Sequence, residues 1–134
     1  MSKQTFCHTY MDGTKRIWCV ERLWVLTQKM PIKEVPVESI SALDEVTWFG
    51  YEPSQHPTGR RVAEHARRIY EANFDYPVIL SAEGWVMDGM HRICKAYLLG
   101  MEEIRVVQFE TNPEPDQITT QGNAPSANET LTRD

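Results

Sequence analysis

Cysteine is scarce in this chain, basic residues are outnumbered and no long apolar run occurs, and each shortage excludes a class of protein. The three cysteines in 134 residues, Cys7, Cys19 and Cys94, are odd in number and form no C-x-x-C pair. Neither a disulfide framework nor a closed zinc site is therefore expected, and a reducing cytoplasm fits. Lys and Arg number 14 against 19 Asp and Glu, for a formal net charge of -5. No broad positive field is present to hold nucleic acid unspecifically, so any polyanion contact must be local. The longest apolar stretches, such as YPVILSA, fall far short of the roughly 20 residues that cross a bilayer, and IWCVERLWVL is broken by Glu21 and Arg22. Neither a membrane span, nor a signal peptide, nor a membrane partner is expected. What remains is a chain of the size for one core and one site.

Composition shifts divide the chain into three parts. Residues 1–15 are polar, with Asp12 and Gly13 as turn formers, and are expected to be irregular. Residues 16–110 carry the apolar periodicity of a folded domain. Within them RIWCVERLWVLTQ, anchored by Trp18, Leu23, Trp24 and Leu26, suits a strand or a helix. In IKEVPVESI the apolar Ile32, Val35, Val37 and Ile40 are interleaved with charge, and Pro36 bars a central ladder position, so an edge or entry strand is expected. A long aromatic loop follows, SALDEVTWFGYEPSQHPTG. From Thr58, a natural N-cap, Val62, Ala66, Ile69 and Tyr70 recur at helical spacing. Tyr76 to Asp88 reads as a hairpin. A second helix begins about Gly89, with Met90, Ile93, Cys94, Tyr97, Leu98 and Met101 as its packing stripe and Gly100 as its stop. EIRVVQF is the last strand. Residues 111–134 are nearly without apolar side chains and are expected to be a disordered tail. The sum is an α+β domain, a mixed sheet with helices packed on it.

The stretch WVMDGMHR carries the chemistry. A strand that ends in Asp88-Gly89 and hands directly to a helix gathers backbone N–H groups and the positive end of a helix dipole at one point, a receptor for an anion. Gly89 lets a phosphate approach the main chain closely, Met90 lies at the helix start, and His91 and Arg92 in the first turn lie off the apolar stripe, free to add donors. Asp88 has two readings: an N-cap for the helix, or a ligand for a metal ion or a substrate hydroxyl. Thr58, Arg60 and Arg61 at the other helix start offer a second phosphate contact or, more plainly, a cap and a solvated face. His56 and His65 can join the site or lie at the surface. Trp48, Phe49 and Tyr51 either stack on a base or pin the loop to the core.

DGMHRICKAYLLGMEEIRVVQF, preceded by YPVILSAEGWVM and a charged helix, resembles the ParB N-terminal/sulfiredoxin-like superfamily over residues 32–110, most strongly over 77–109. DEVTWFG, HPTGRRVAEHARRI and VMDGMHR together look like a bacterial ParB-like subfamily. The resemblance implies a nucleotide whose phosphates sit at the start of the second helix. Sulfiredoxins place a nucleophilic cysteine where this chain has Met90, so sulfinic acid repair is not expected. Partition ParB proteins carry a Gly-Glu-Arg-Arg type motif and a following helix-turn-helix domain, and here only a polar tail follows the motif. The free-serine kinases of the superfamily carry Asp-Gly-His-His-Arg and an acidic base in the loop after the first strand. DGMHR is closest to that pattern, and ALDEV supplies Glu45 and Asp44 in the corresponding loop.

The expected function is therefore nucleotide-phosphate binding with hydrolysis of a nucleoside triphosphate such as ATP, or transfer of its phosphate to a small hydroxylated acceptor. Glu45 is the first choice of base and Asp44 the second, with Mg2+ held at Asp88. The alternative is a nucleotide- or DNA-binding module without turnover, using Arg60, Arg61, Arg67 and Arg68. The acidic balance and the missing helix-turn-helix disfavour DNA. Asp88 by itself is too thin a metal site for a nuclease.

Overall fold

Alternation along two inner strands decides how the molecule is layered. A computed structural model of the chain, described over residues 4–120, has an α+β arrangement in which β4 (Val78–Leu80) and β6 (Glu103–Gln108) run parallel at the centre of a sheet. Successive strand residues point to opposite faces. Val78, Leu80, Ile104 and Val106 therefore pack on one side with Met90, Ile93 and Ala96, while Ile79 and Val107 pack on the other with Phe6, Trp18, Leu23, Met87 and Phe109. One sheet thus serves two cores.

This sheet has the order β3-β6-β4-β5, with β3 (Lys33–Pro36) and β5 (Val86–Asp88) at its edges and antiparallel to their neighbours. Pro36 therefore lies on an edge strand, where its missing N–H is tolerated. A second sheet, in the order β1-β2-β7, is antiparallel throughout and joins β1 (Thr5–Thr9), β2 (Thr14–Cys19) and β7 (Gln117–Thr120).

The second sheet corrects both expectations about the ends of the chain. Residues 5–9, taken as irregular, pair with β2 across a turn where the Asp12 carboxylate accepts from the Thr14 N–H at 2.9 Å. Residues 111–120, taken as part of a disordered tail, are held by polar contacts that counting apolar residues overlooks. Trp18 Nε1 donates to the Pro113 carbonyl at 2.8 Å, and the Asp116 carboxylate accepts from Cys19 N at 2.7 Å and from Arg22 at 3.0 Å. The rest of the expected tail, 121–134, lies outside the described residues. RIWCVERLWVLTQ is both of its alternatives in turn, since β2 ends at Cys19 and α1 (Val20–Thr27) starts at the next residue.

α2 (Gly59–Glu71) and α3 (Met90–Leu98) pack against one another. Thr58 caps α2, its hydroxyl accepting from Arg61 N at 3.3 Å, and Gly100 ends α3 with Gly100 N on Tyr97 O and Met101 N on Ala96 O, the paired bonds of a Schellman stop. α2 does not bury the stripe its periodicity suggests, and α3 buries only the first part of its stripe, Met90 and Ile93, with Cys94 packed beside them. On α2 Val62 and Tyr70 are exposed and the half-buried residues are Arg61, His65 and Ile69; on α3 Tyr97, Leu98 and Met101 are exposed while His91 is buried. A polar contact, His65 to His91, joins the two helices across a seam that apolar periodicity cannot reveal.

Candidate functional site

The chain passes from β5 to α3 through one residue, and that residue must be glycine. Gly89 is the cap of α3 with φ 114° and ψ 18°, a region that L side chains rarely adopt. A Cβ there would lie 2.9 Å from Val78 Cγ2 and 3.2 Å from Val78 Cα, so the amino end of α3 is seated against the backbone of β4. The cap position belongs to Gly89 rather than Asp88.

Asp88 is buried, and its Oδ2 accepts from Trp24 Nε1 at 2.9 Å and from the Arg92 guanidinium at 3.1 Å. That oxygen already faces a cation. A magnesium ion on that oxygen would compete with Arg92, and no group of three or more His, Cys, Asp or Glu side chains among the described residues could hold a metal ion. The donor set at Asp88 does not fit the expected Mg2+ site.

His91 and Arg92 were expected to face a ligand, and both side chains are instead held inward. His91 is 4% exposed, its Nε2 2.9 Å from His65 Nδ1. The Trp48 indole stacks over both imidazoles, with centroids at 4.3 and 4.4 Å and planes within 12°. Phe49 meets His65 edge-on. Of the two readings of the loop aromatics, pinning therefore holds for Trp48 and Phe49. Arg92 pairs with Asp88 with only 14% of its side chain exposed, and its Nε is buried without a hydrogen-bond partner. What Gly89, His91 and Arg92 do share is the wall of a small notch of about 180 Å³, closed from the α2 side by Arg68, Glu71 and Asn73.

Gly89 also borders a larger cleft of about 330 Å³, which Asp88 and Met90 line from the helix start, Glu45 and Trp48 from the loop and His8 and Trp85 from the hairpins. Glu45 is thus brought to the start of α3. Asp44 is not: it closes the turn Ser41–Asp44, is exposed, and lines neither cavity. Thr58, Arg60 and Arg61 also line neither. Arg61 fastens the loop through the carbonyls of Pro53 at 2.9 Å and His56 at 3.0 Å, and Arg60 faces a shallow depression of α2 beside Arg67. No Lys or Arg lines the cleft, whereas the notch has Arg68 and Arg92 against Glu71. An anion is therefore better matched to the notch, and a neutral or aromatic group to the cleft.

His8 and Cys7 are not predicted from the sequence because the polar composition of residues 1–15 suggests irregular structure. The available signal was Asp12-Gly13 between two extended runs, a hairpin turn. His8 stacks on Trp85 at 3.7 Å with Tyr10 edge-on at 5.3 Å. Burial lowers the pKa of His8, while the carboxylates of Glu83 and Glu45 raise it in part. Its folded pKa lies below its unfolded value, so the unfolded chain binds more protons there and this group's contribution to stability falls as pH drops through the unfolded value. An NMR titration should place the His8 midpoint below about 6.5, and Glu83→Gln should lower it further. A midpoint above that value would mean that the carboxylates of Glu83 and Glu45 outweigh burial.

Comparisons of the chain with family models, with curated proteins and with solved structures found no match.

Proposed function

We propose that the chain binds a nucleotide across Gly89, a phosphate in the notch and the remainder in the aromatic cleft, and that Glu45 serves as base for phosphoryl transfer to water or to a small hydroxylated acceptor. The observation that carries this is that Gly89, at the amino end of α3, borders both the notch that holds Arg68 and the cleft that holds Glu45. Backbone amides and the dipole at a helix start favour a phosphate. The resemblance of residues 77–109 to the ParB N-terminal/sulfiredoxin-like superfamily supports the same placement. In this reading Arg68 is the exposed cation that meets the phosphate, Arg92 lies beside it held by Asp88, and Trp85 offers an indole to the base. Glu45 takes the proton of the attacking hydroxyl as the phosphorus–oxygen bond to the leaving diphosphate breaks.

Calorimetric titration with ATP, CTP, GTP and UTP, each with and without magnesium, followed by phosphate-release assay, tests the reading. Glu45→Gln should leave nucleotide affinity unchanged and lower release about a hundredfold. Arg68→Ala, at an exposed position, should weaken binding about tenfold. Binding without release in the unaltered chain would make it a nucleotide-binding module, and release unchanged in Glu45→Gln would remove Glu45 as the base. Failure of all four nucleotides to bind would end the nucleotide reading.

A further inference from the structure

α2 and α3 meet at a pair of imidazoles that the proposed function does not use. His65 Nδ1 and His91 Nε2 lie 2.9 Å apart, with ring centroids at 5.2 Å and planes within 16°, so the two rings sit edge to edge in nearly one plane. The Trp48 indole covers both, and Phe49 meets His65 edge-on at 5.5 Å. These aromatics follow Glu45 closely in the same loop. The imidazole pair is thus the floor on which the Glu45 segment rests. A contact between two ring nitrogens needs one donor and one acceptor. The neutral pair supplies them, and so does the pair with one added proton, in which an imidazolium donates to a neutral ring. A second added proton leaves two N–H groups aimed at each other and like charges on adjacent rings. His91 is 4% exposed whereas His65 is half-buried, so His65 is the ring that turns out to water. His91 shares the notch with Arg68, Glu71 and Arg92, and Arg92 is paired with Asp88. Arg61 and Glu64 precede His65 on α2, Lys95 follows His91 by one turn of α3, and the loop adds Glu45. Cations and carboxylates balance in this group, so no excess of negative charge holds a second proton. His56 of the loop lies 2.9 Å from the Tyr51 carbonyl, a contact that a protonated ring still makes.

We infer that His65, His91 and Trp48 form a pH-sensitive latch: a second proton on the imidazole pair turns His65 outward, removes the surface beneath Trp48 and Phe49, and releases the Glu45 segment from the cleft. The indole attracts an imidazolium, but it cannot cover two rings that have parted. Arg61 still holds the Pro53 and His56 carbonyls, so the loosening is confined to the stretch before Pro53. That release of Glu45 regulates the site rests on the function proposed above. The latch itself does not.

Hydrogen exchange of the full chain, without nucleotide, provides the test. The Gly50 amide donates to the Gln55 carbonyl at 3.0 Å, so its protection reports whether the segment is seated. Measured against intrinsic rates, that protection should fall at least about tenfold between about pH 7.5 and about pH 4.5, a span that crosses the ordinary imidazole value and stays above the ordinary carboxylate values. The amides of α3 should keep theirs. His65→Gln supplies a donor and an acceptor that do not titrate, and its Gly50 protection should vary less than about twofold over the same span. Imidazole 15N spectra of the unaltered chain give a measure that does not depend on the variant folding: both rings should be protonated where protection is lost, and one at most where it is retained. The inference is overturned by Gly50 protection that is absent at neutral pH or constant with pH, by a loss that extends through α3, by a folded His65→Gln chain that loses protection as the unaltered chain does, or by loss while either ring is still neutral. Because no nucleotide is present, each of these outcomes leaves the nucleotide reading to its own titration.

Discussion

Arg92→Ala should destabilise the fold by about 3 kcal/mol, the usual loss when one member of a buried ion pair is removed. Asp88 and Arg92 have side-chain exposures of only 7 and 14%, so solvent screens their contact little. With Arg92 gone the Asp88 carboxylate keeps the Trp24 indole as a donor but loses its counter-ion in a buried place. Its pKa should then rise, and a raised carboxyl pKa costs stability as pH increases through it. The deficit of Arg92→Ala in urea denaturation should accordingly be smaller at acid pH than at neutral pH. Adding Asp88→Asn to Arg92→Ala removes the uncompensated charge and should recover part of the loss. A deficit below about 1 kcal/mol, in the range of surface pairs, would mean that Arg92 swings out to solvent and is available to a ligand as the sequence suggested.

Arg92 illustrates where sequence reasoning succeeded and where it stopped. The strand-to-helix passage at Gly89, the edge strand at Pro36, the cap at Thr58 and the stop at Gly100 were legible, because each rests on local backbone chemistry that one or two residues dictate. The loop residue Glu45 lines the same cleft as Gly89 and Met90 at the start of α3. The directions of His91 and Arg92 were not legible. Placing polar side chains outward is sound on average, but His91 had a partner in His65, 26 residues distant, and Arg92 had one in Asp88, itself held by Trp24 from another helix. Such polar pairs obey no period. The second sheet was hidden for a related reason. β7 is made of Gln117, Ile118, Thr119 and Thr120 and is exposed or half-buried, so backbone pairing with β2 and the bonds of Asp116, rather than apolar burial, hold it in place.

Gly89→Ala should cost about 3 kcal/mol and lower the melting midpoint by roughly 10 °C. Two effects add at this position. The first is conformational, since φ is +114°. The second is steric, since the new methyl group would meet Val78 Cγ2 at 2.9 Å, Val78 Cα at 3.2 Å and the Arg92 guanidinium at 3.0 Å. Val78 is fully buried in the central strand and Arg92 is committed to Asp88, so neither gives way cheaply. Gly84, in the turn between β4 and β5, separates the two contributions. It also has positive φ, +92°, but a Cβ there meets nothing within 4 Å, so Gly84→Ala should cost about 1 kcal/mol from conformation alone. The excess at Gly89 measures how tightly the start of α3 is seated on β4. Equal losses at the two glycines would mean that the helix start can shift, in which case the notch and cleft that meet at Gly89 would lack the fixed geometry needed to position a phosphate beside Glu45.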